Sequence, residues 1–180
     1  MSLPRSRVLL EQQALADGLG NLAERLHKRL ENKEVTAVPI LGGGMFFAAD
    51  LVRRLPVGLV MDFIRIGTYG DATSPQKRPK ADWLPHPESI KGRTVLLLDD
   101  ILDTGRTLQE ARRIMLEEME AKEVLCVVLV DKTVRRSVAI EADDCVLTIE
   151  EDLFLVGCGL DFAGQFRNLP DLRVLESDAD

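Results

Sequence analysis

This sequence predicts an α/β fold built around a buried parallel sheet, on three observations. Residues 95–98 (Val-Leu-Leu-Leu) form an unbroken apolar run. With no polar alternation, such a run reads as a strand covered on both faces, as in a parallel sheet. Asp99 and Asp100 follow at once, then Asp103, the turn Thr104-Gly-Arg-Thr107, and Leu108, Ala111, Ile114 and Met115 at helical spacing. A strand, a polar turn and a helix start in that order make a crevice of the kind in which open α/β sheets bind ligands. Residues 35–41 and 124–130 are further apolar runs of the same sort.

The remaining elements fall around these three strands. Apolar residues Leu9, Leu10, Leu15, Leu19, Leu22, Ala23, Leu26 and Leu30 predict an amphipathic helix over about 8–30, interrupted near Gly18–Gly20. The strand 35–41 breaks at Gly42-Gly-Gly44, and residues 45–55 then read as a helix. Residues 57–66 read as another strand. Residues 67–91 contain Gly, Pro, Asp, Ser and Lys with no apolar period, and a connection of that length in a compact domain is commonly functional or disordered. Lys77, Arg78 and Lys80 within it read as solvated charges. The strand 124–130 ends in Asp131-Lys132-Thr133, after which Arg135 and Arg136 read as surface charges, with a phosphate or subunit contact as the alternative. The tail, 145–173, alternates short apolar runs with turns.

At 180 residues the chain is one domain with room for a full core, and 46% hydrophobic with 29% charged residues is ordinary for a soluble protein. A net charge of −7 excludes the broad basic footprint of a general nucleic-acid binder. Cys126, Cys145 and Cys158 form no C-x-x-C pair, and an odd number of thiols beside apolar runs fits buried free cysteines in a reducing cytosol. No signal segment or membrane-spanning apolar stretch is visible, so a cytoplasmic location without membrane partners is expected.

The turn at 104–107 has the chemistry of a phosphate cradle. Gly105 permits converging amides, Thr104 and Thr107 add hydroxyl donors, and the helix start supplies free N–H groups and a positive dipole end. It is not a Walker loop, since the G-x-x-x-x-G-K-[ST] spacing is absent. Adjacent carboxylates at a strand end suit a sugar diol or hydrated Mg²⁺. A strand-end acid pair plus a helix cap explains any one of these residues, but not three acids, two threonines and a glycine together. Gly42-Gly-Gly44 is a second candidate anion cradle, although three glycines also serve to relieve crowding between helix and sheet.

The segment Asp99-Asp-Ile-Leu-Asp-Thr-Gly-Arg-Thr107 resembles the phosphoribosyl pyrophosphate (PRPP) signature of the type I phosphoribosyltransferases, and Asp103 resembles the hypoxanthine-guanine branch. The resemblance covers roughly 35–170. It implies a central parallel sheet of about five strands flanked by helices, with a small hood mainly from 145–175 and a mobile loop at 67–91 beginning Thr68-Tyr-Gly-Asp71. It further implies transfer of 5-phosphoribosyl from PRPP to a 6-oxopurine, with Mg²⁺ as cofactor, PRPP and a purine base as partners, and a homodimer or homotetramer.

The resemblance also distributes roles. Asp99, Asp100, Asp103, Thr104, Gly105, Arg106 and Thr107 would hold the ribose and 5′-phosphate, with Asp103 the catalytic group at the purine N7 proton. Gly42, Gly43 and Arg167 would meet pyrophosphate, and a cis peptide between Leu41 and Gly42 is implied. Many members carry a basic residue where this chain has Gly42, and often tyrosine where it has Cys158. Lys132 would read the purine carbonyl oxygen, for which three donors and no acceptor are suited. Phe154 would stack on the base, Leu155 would meet its edge through the backbone, and Asp161 with Asp99 would hold Mg²⁺. Two other readings share the segment 99–107: a pyrimidine-type transferase or RNA-binding regulator, disfavoured by the acid at 103 and the acidic chain, and a non-catalytic nucleotide sensor, since fold never proves chemistry.

Overall fold

The computed structural model describes residues 3–69 and 78–176. The chain opens with β1 (Ser6–Leu10), α1 (Gln12–Leu30), β2 (Val35–Leu41) and α2 (Gly44–Val52). It continues through β3 (Leu59–Met61), β4 (Ile64–Tyr69), β5 (Arg78–Trp83), α3 (Pro87–Ile90), β6 (Thr94–Leu102) and α4 (Arg106–Arg113). A π-type turn (Ile114–Glu118) extends α4, and β7 (Glu123–Lys132), a 3-10 turn (Thr133–Arg135), β8 (Asp144–Ile149), β9 (Leu155–Val156) and β10 (Leu172–Leu175) complete it.

The main sheet has the order β5-β4-β2-β6-β7-β8, with β3 also on β2. β3 pairs with β2 from Val35 to Ala37 and β4 pairs with it at Ile40 and Leu41, so the two short strands lie end to end along one edge. Counting that edge once, parallel strands occupy five positions, as expected, and β5 adds an antiparallel border. Successive side chains of a strand face opposite ways. Leu96 and Leu98 therefore pack under α1 and α2, while Val95 and Leu97 pack with Leu108, Ile114 and Met115. Both faces of β6 are thus covered, which is why its sequence lacks alternation.

Several boundaries differ from the sequence reading, each through a non-local contact. Residues 8–10, expected to start the helix, belong instead to the strand 6–10, which pairs antiparallel with β10. α1 then runs unbroken through Gly18 and Gly20. A Cβ on Gly18 would lie 2.7 Å from Val146 Cγ1, so this glycine lets the helix approach β8. The predicted strand 57–66 is divided at buried Asp62, whose carboxylate accepts the N–H groups of Phe63 and His86. The connection 67–91 carries β5 and α3, while its residues 70–77, including Lys77 and the second half of the Thr68–Asp71 segment, fall outside the described residues.

The hood also differs. β8 belongs to the main sheet, and the separate three-stranded sheet β1-β10-β9 joins the two ends of the chain. All three cysteines are free; Cys126 is buried and the other two half-buried. Burial pushes the Cys126 and Cys158 thiols up to about 12. Among the described residues, no helix is long and apolar enough to cross a membrane.

Candidate active site

β2, β6 and β7 run parallel, so their carboxyl ends open on one side of the sheet. A cleft of about 400 Å³ lies there. β6 continues past its apolar run to Leu102, so Asp99 and Asp100 sit within the strand, not beyond it. Asp99 Oδ1 accepts the Asp100 N–H at 3.0 Å, and Asp100 Oδ1 accepts the Ile101 N–H at 3.0 Å. Burial raises both carboxyls above the usual aspartate range, Asp99 well above it because the Asp100 charge adds to the effect. Buried adjacent acids disfavour double ionisation unless a cation joins them.

The turn after β6 is held from behind. Gly105 has φ +84° and precedes α4, and a Cβ there would lie 2.6 Å from Ile140 Cγ2. Arg136 donates to the carbonyls of Asp103 (3.1 Å), Leu102 (3.3 Å) and Ile140 (2.6 Å), and pairs with Asp131. The Ser137 N–H and hydroxyl both reach Thr104 O, at 3.0 and 3.2 Å. The carbonyls of residues 102–104 are thereby taken up behind the turn, while the first amides of α4 have no acceptor within the helix. Arg136 is therefore an internal clamp, not the surface charge its sequence position suggested. Arg106 donates to Ser137 Oγ at 3.1 Å and, unlike the other six residues proposed for PRPP, does not line the cleft.

The glycine loop forms the opposite lip. The Leu41–Gly42 peptide is cis. A Cβ on Gly43 would fall 1.5 Å from Asp100 Oδ2 and 2.9 Å from Gly159 O, so only glycine fits without displacing the acid pair. Arg167 donates to Gly159 O at 2.5 Å, pairs with Asp161 at 2.6 Å and stands 3.9 Å from Asp100. The second Asp161 oxygen accepts the Gly164 N–H at 2.8 Å.

The third wall joins β7 to the approach to β9. Lys132 is only 4% exposed, and its Nζ donates to Leu153 O at 3.0 Å and pairs with Asp152 at 2.6 Å. Lys132 draws the Asp152 carboxyl below its ordinary range. Phe154 is 53% exposed and meets Phe162 edge to face, with ring centroids 5.8 Å apart. Asp103 Oδ1 is buried and finds no hydrogen-bond donor among the described residues. Its other oxygen lies 3.5 Å from Arg135 Nη1.

The cleft thus brings together Gly42, Gly43, Asp99, Asp100, Asp103, Thr104, Gly105, Thr107, Lys132, Phe154, Leu155, Asp161 and Arg167. Arg135 also lines it, so of its two sequence readings the plain surface charge is the one the cleft disfavours.

Comparison with known proteins fits this arrangement. Residues 7–163 match the phosphoribosyl transferase domain, and the chain belongs to that family. It is 37% identical over 174 residues to a hypoxanthine-guanine phosphoribosyltransferase of Streptococcus pneumoniae, covering 96% of this chain and 94% of the relative. The Bacillus subtilis protein of the same name is 31% identical, covering 94% of this chain and 93% of its own. A crystal structure of a Staphylococcus aureus hypoxanthine phosphoribosyltransferase superposes with TM-score 0.87 at 31% identity, over 94% of this chain and 91% of that one.

Proposed function

We propose that this chain is a purine-salvage enzyme that transfers the 5-phosphoribosyl group of PRPP to a 6-oxopurine, hypoxanthine or guanine, giving IMP or GMP and pyrophosphate. One observation carries this reading: a single cleft joins an anion-binding turn, a buried acid pair and a wall with a lysine donor and an aromatic face. Thr104, Gly105 and Thr107, with the amides at the start of α4, take the 5′-phosphate, where free N–H groups and the helix dipole favour an anion. Arg106 supports this turn from behind. Asp99 and Asp100 accept hydrogen bonds from the ribose hydroxyls, and their charge favours the positive charge that develops at the anomeric carbon. Gly42 and Gly43 present backbone to the pyrophosphate, and Arg167 adds a cation.

Phe154 stacks on the purine, the Leu155 backbone meets its edge, and Lys132 donates to the 6-oxo oxygen. Asp103 Oδ1, a buried acceptor with no donor among the described residues, takes the N7 proton as the purine nitrogen bonds to the anomeric carbon and the bond to pyrophosphate breaks. Asp99 and Asp161 suit Mg²⁺: both are hard carboxylate donors, and burial beside Asp100 makes the Asp99 anion costly without a cation. When bound, Mg²⁺ neutralises the leaving pyrophosphate.

The chain acts in the cytoplasm as a homodimer or homotetramer. Val60, Met61, Phe63, Trp83 and Leu84 are exposed apolar residues on and beside β3 and β5, a surface suited to a second copy. Pyrophosphate release with hypoxanthine, guanine, xanthine, adenine and uracil tests the whole reading. Turnover with the 6-oxopurines and not with adenine or uracil is expected; turnover only with uracil, or with no base, contradicts it.

A further inference from the structure

Asp152 has no part in the roles assigned above, yet it makes the shortest contact on the base wall. Its side chain is 61% exposed, and its Oδ1 lies 2.6 Å from the Nζ of Lys132, which is almost wholly buried. Arg135 Nε stands 4.0 Å from the same oxygen. We propose that Asp152 is a positioning residue that fixes the Lys132 ammonium for the base carbonyl and thereby sets selection of 6-oxo over 6-amino purines. The inference rests on the reading of Lys132 given above.

An ammonium carries three N–H donors and no acceptor. One goes to Leu153 O at 3.0 Å and a second to Asp152, which leaves one for the cleft that Lys132 lines. A free lysine is a point charge on a flexible four-carbon stem that can turn toward whichever acceptor is near. Held by two partners from the segment before β9, it becomes a donor with one direction. A carbonyl oxygen at the purine 6-position completes its third bond. An amino group there opposes N–H with N–H, and a pinned ammonium cannot swing aside to relieve the clash. Rejection of the amino base therefore depends on the carboxylate behind the lysine as much as on the lysine itself. Asp152 itself sits at the surface, so its replacement removes no apolar packing.

Steady-state kinetics on Asp152→Asn, Asp152→Ala and Asp152→Glu, with Lys132→Ala as reference, tests this. Losing one charge-assisted hydrogen bond on the lysine should raise the KM for hypoxanthine about 10-fold in the Asn and Ala variants. The KM for PRPP should stay within about 2-fold, because the phosphate turn and glycine loop are untouched. The ratio of hypoxanthine to adenine turnover should narrow, and Asp152→Glu should recover part of it. Thermal melting identifies the folded variants, and Asp152→Asn serves if Asp152→Ala melts early. An unchanged hypoxanthine KM and ratio in a folded variant, or a parallel rise in the PRPP KM, overturns the proposal. If Lys132→Ala abolishes selection while Asp152→Ala keeps it, this inference alone fails; if Lys132→Ala also keeps it, the reading of Lys132 fails with it.

Discussion

The two sides of the cleft are built by different means. On the side proposed for the sugar phosphate, a turn of a few consecutive residues presents backbone, while Arg136 and Ser137 hold its carbonyls from the rear. On the side proposed for the base, the wall is made of side chains: Lys132 from β7, Asp152 and Phe154 from the segment before β9, and Arg135 bridging toward Asp103. The first construction is anchored through its own backbone, with Gly105 buried and Thr104 and Thr107 half-buried. The second exposes Phe154 and Arg135 to solvent and depends on ion pairs between segments distant in sequence. On the proposed roles, the phosphate is common to every substrate and the base is what varies, so the wall of side chains is the one expected to discriminate.

Substitutions can sharpen or break this contrast. The largest loss is expected on the side built from backbone. Gly43→Ala would drive a methyl into Asp100 and Gly159 O, and a displacement of that size should lower kcat/KM for PRPP by about 10²-fold or more. Near-normal kinetics would show that the glycine loop yields easily. Asp103→Asn keeps shape but removes the proton acceptor, and single-turnover rates should fall by about 10²–10⁴-fold with binding of PRPP retained. A near-normal rate would remove Asp103 from the base role.

Smaller effects follow. Arg136→Lys cannot reproduce a planar fork that serves several carbonyls, so the PRPP KM should rise about 10-fold while the base KM holds. A matching rise in both would make the clamp a general stabiliser of the domain. Phe154→Ala removes an exposed ring from the other wall, and loss of a stacking partner should raise the base KM only about 2- to 10-fold. The smallest change belongs outside the cleft altogether: Arg25→Ala breaks an exposed pair with Asp144, and chemical denaturation should register about 1 kcal/mol or less.

The same contrast explains what could be read in the sequence. β2, β6 and β7 announce themselves because each is covered on both faces and so is apolar without alternation. The phosphate turn is legible because its acids, threonines and glycine are contiguous. β1 was misread as helix because its partner, β10, lies at the other end of the chain. Gly18 suggested a break, yet it serves contact with Val146. Arg136 looked like a surface charge because nothing local marks the carbonyls of residues 102, 103 and 140 as its partners. Lys132 is legible only through the family resemblance, since a lysine after a strand is by itself usually solvent-facing, and Asp152 and Arg135 acquire meaning only when the two segments meet.

The most direct test of the account is a crystal structure of this chain with inosine monophosphate. The account places the 5′-phosphate on the amides and hydroxyls of residues 104–107, the purine against Phe154, its 6-oxo oxygen at Lys132 Nζ and its N7 at Asp103. A nucleotide seated elsewhere, or bound with its base turned away from Lys132 and Asp103, would contradict it.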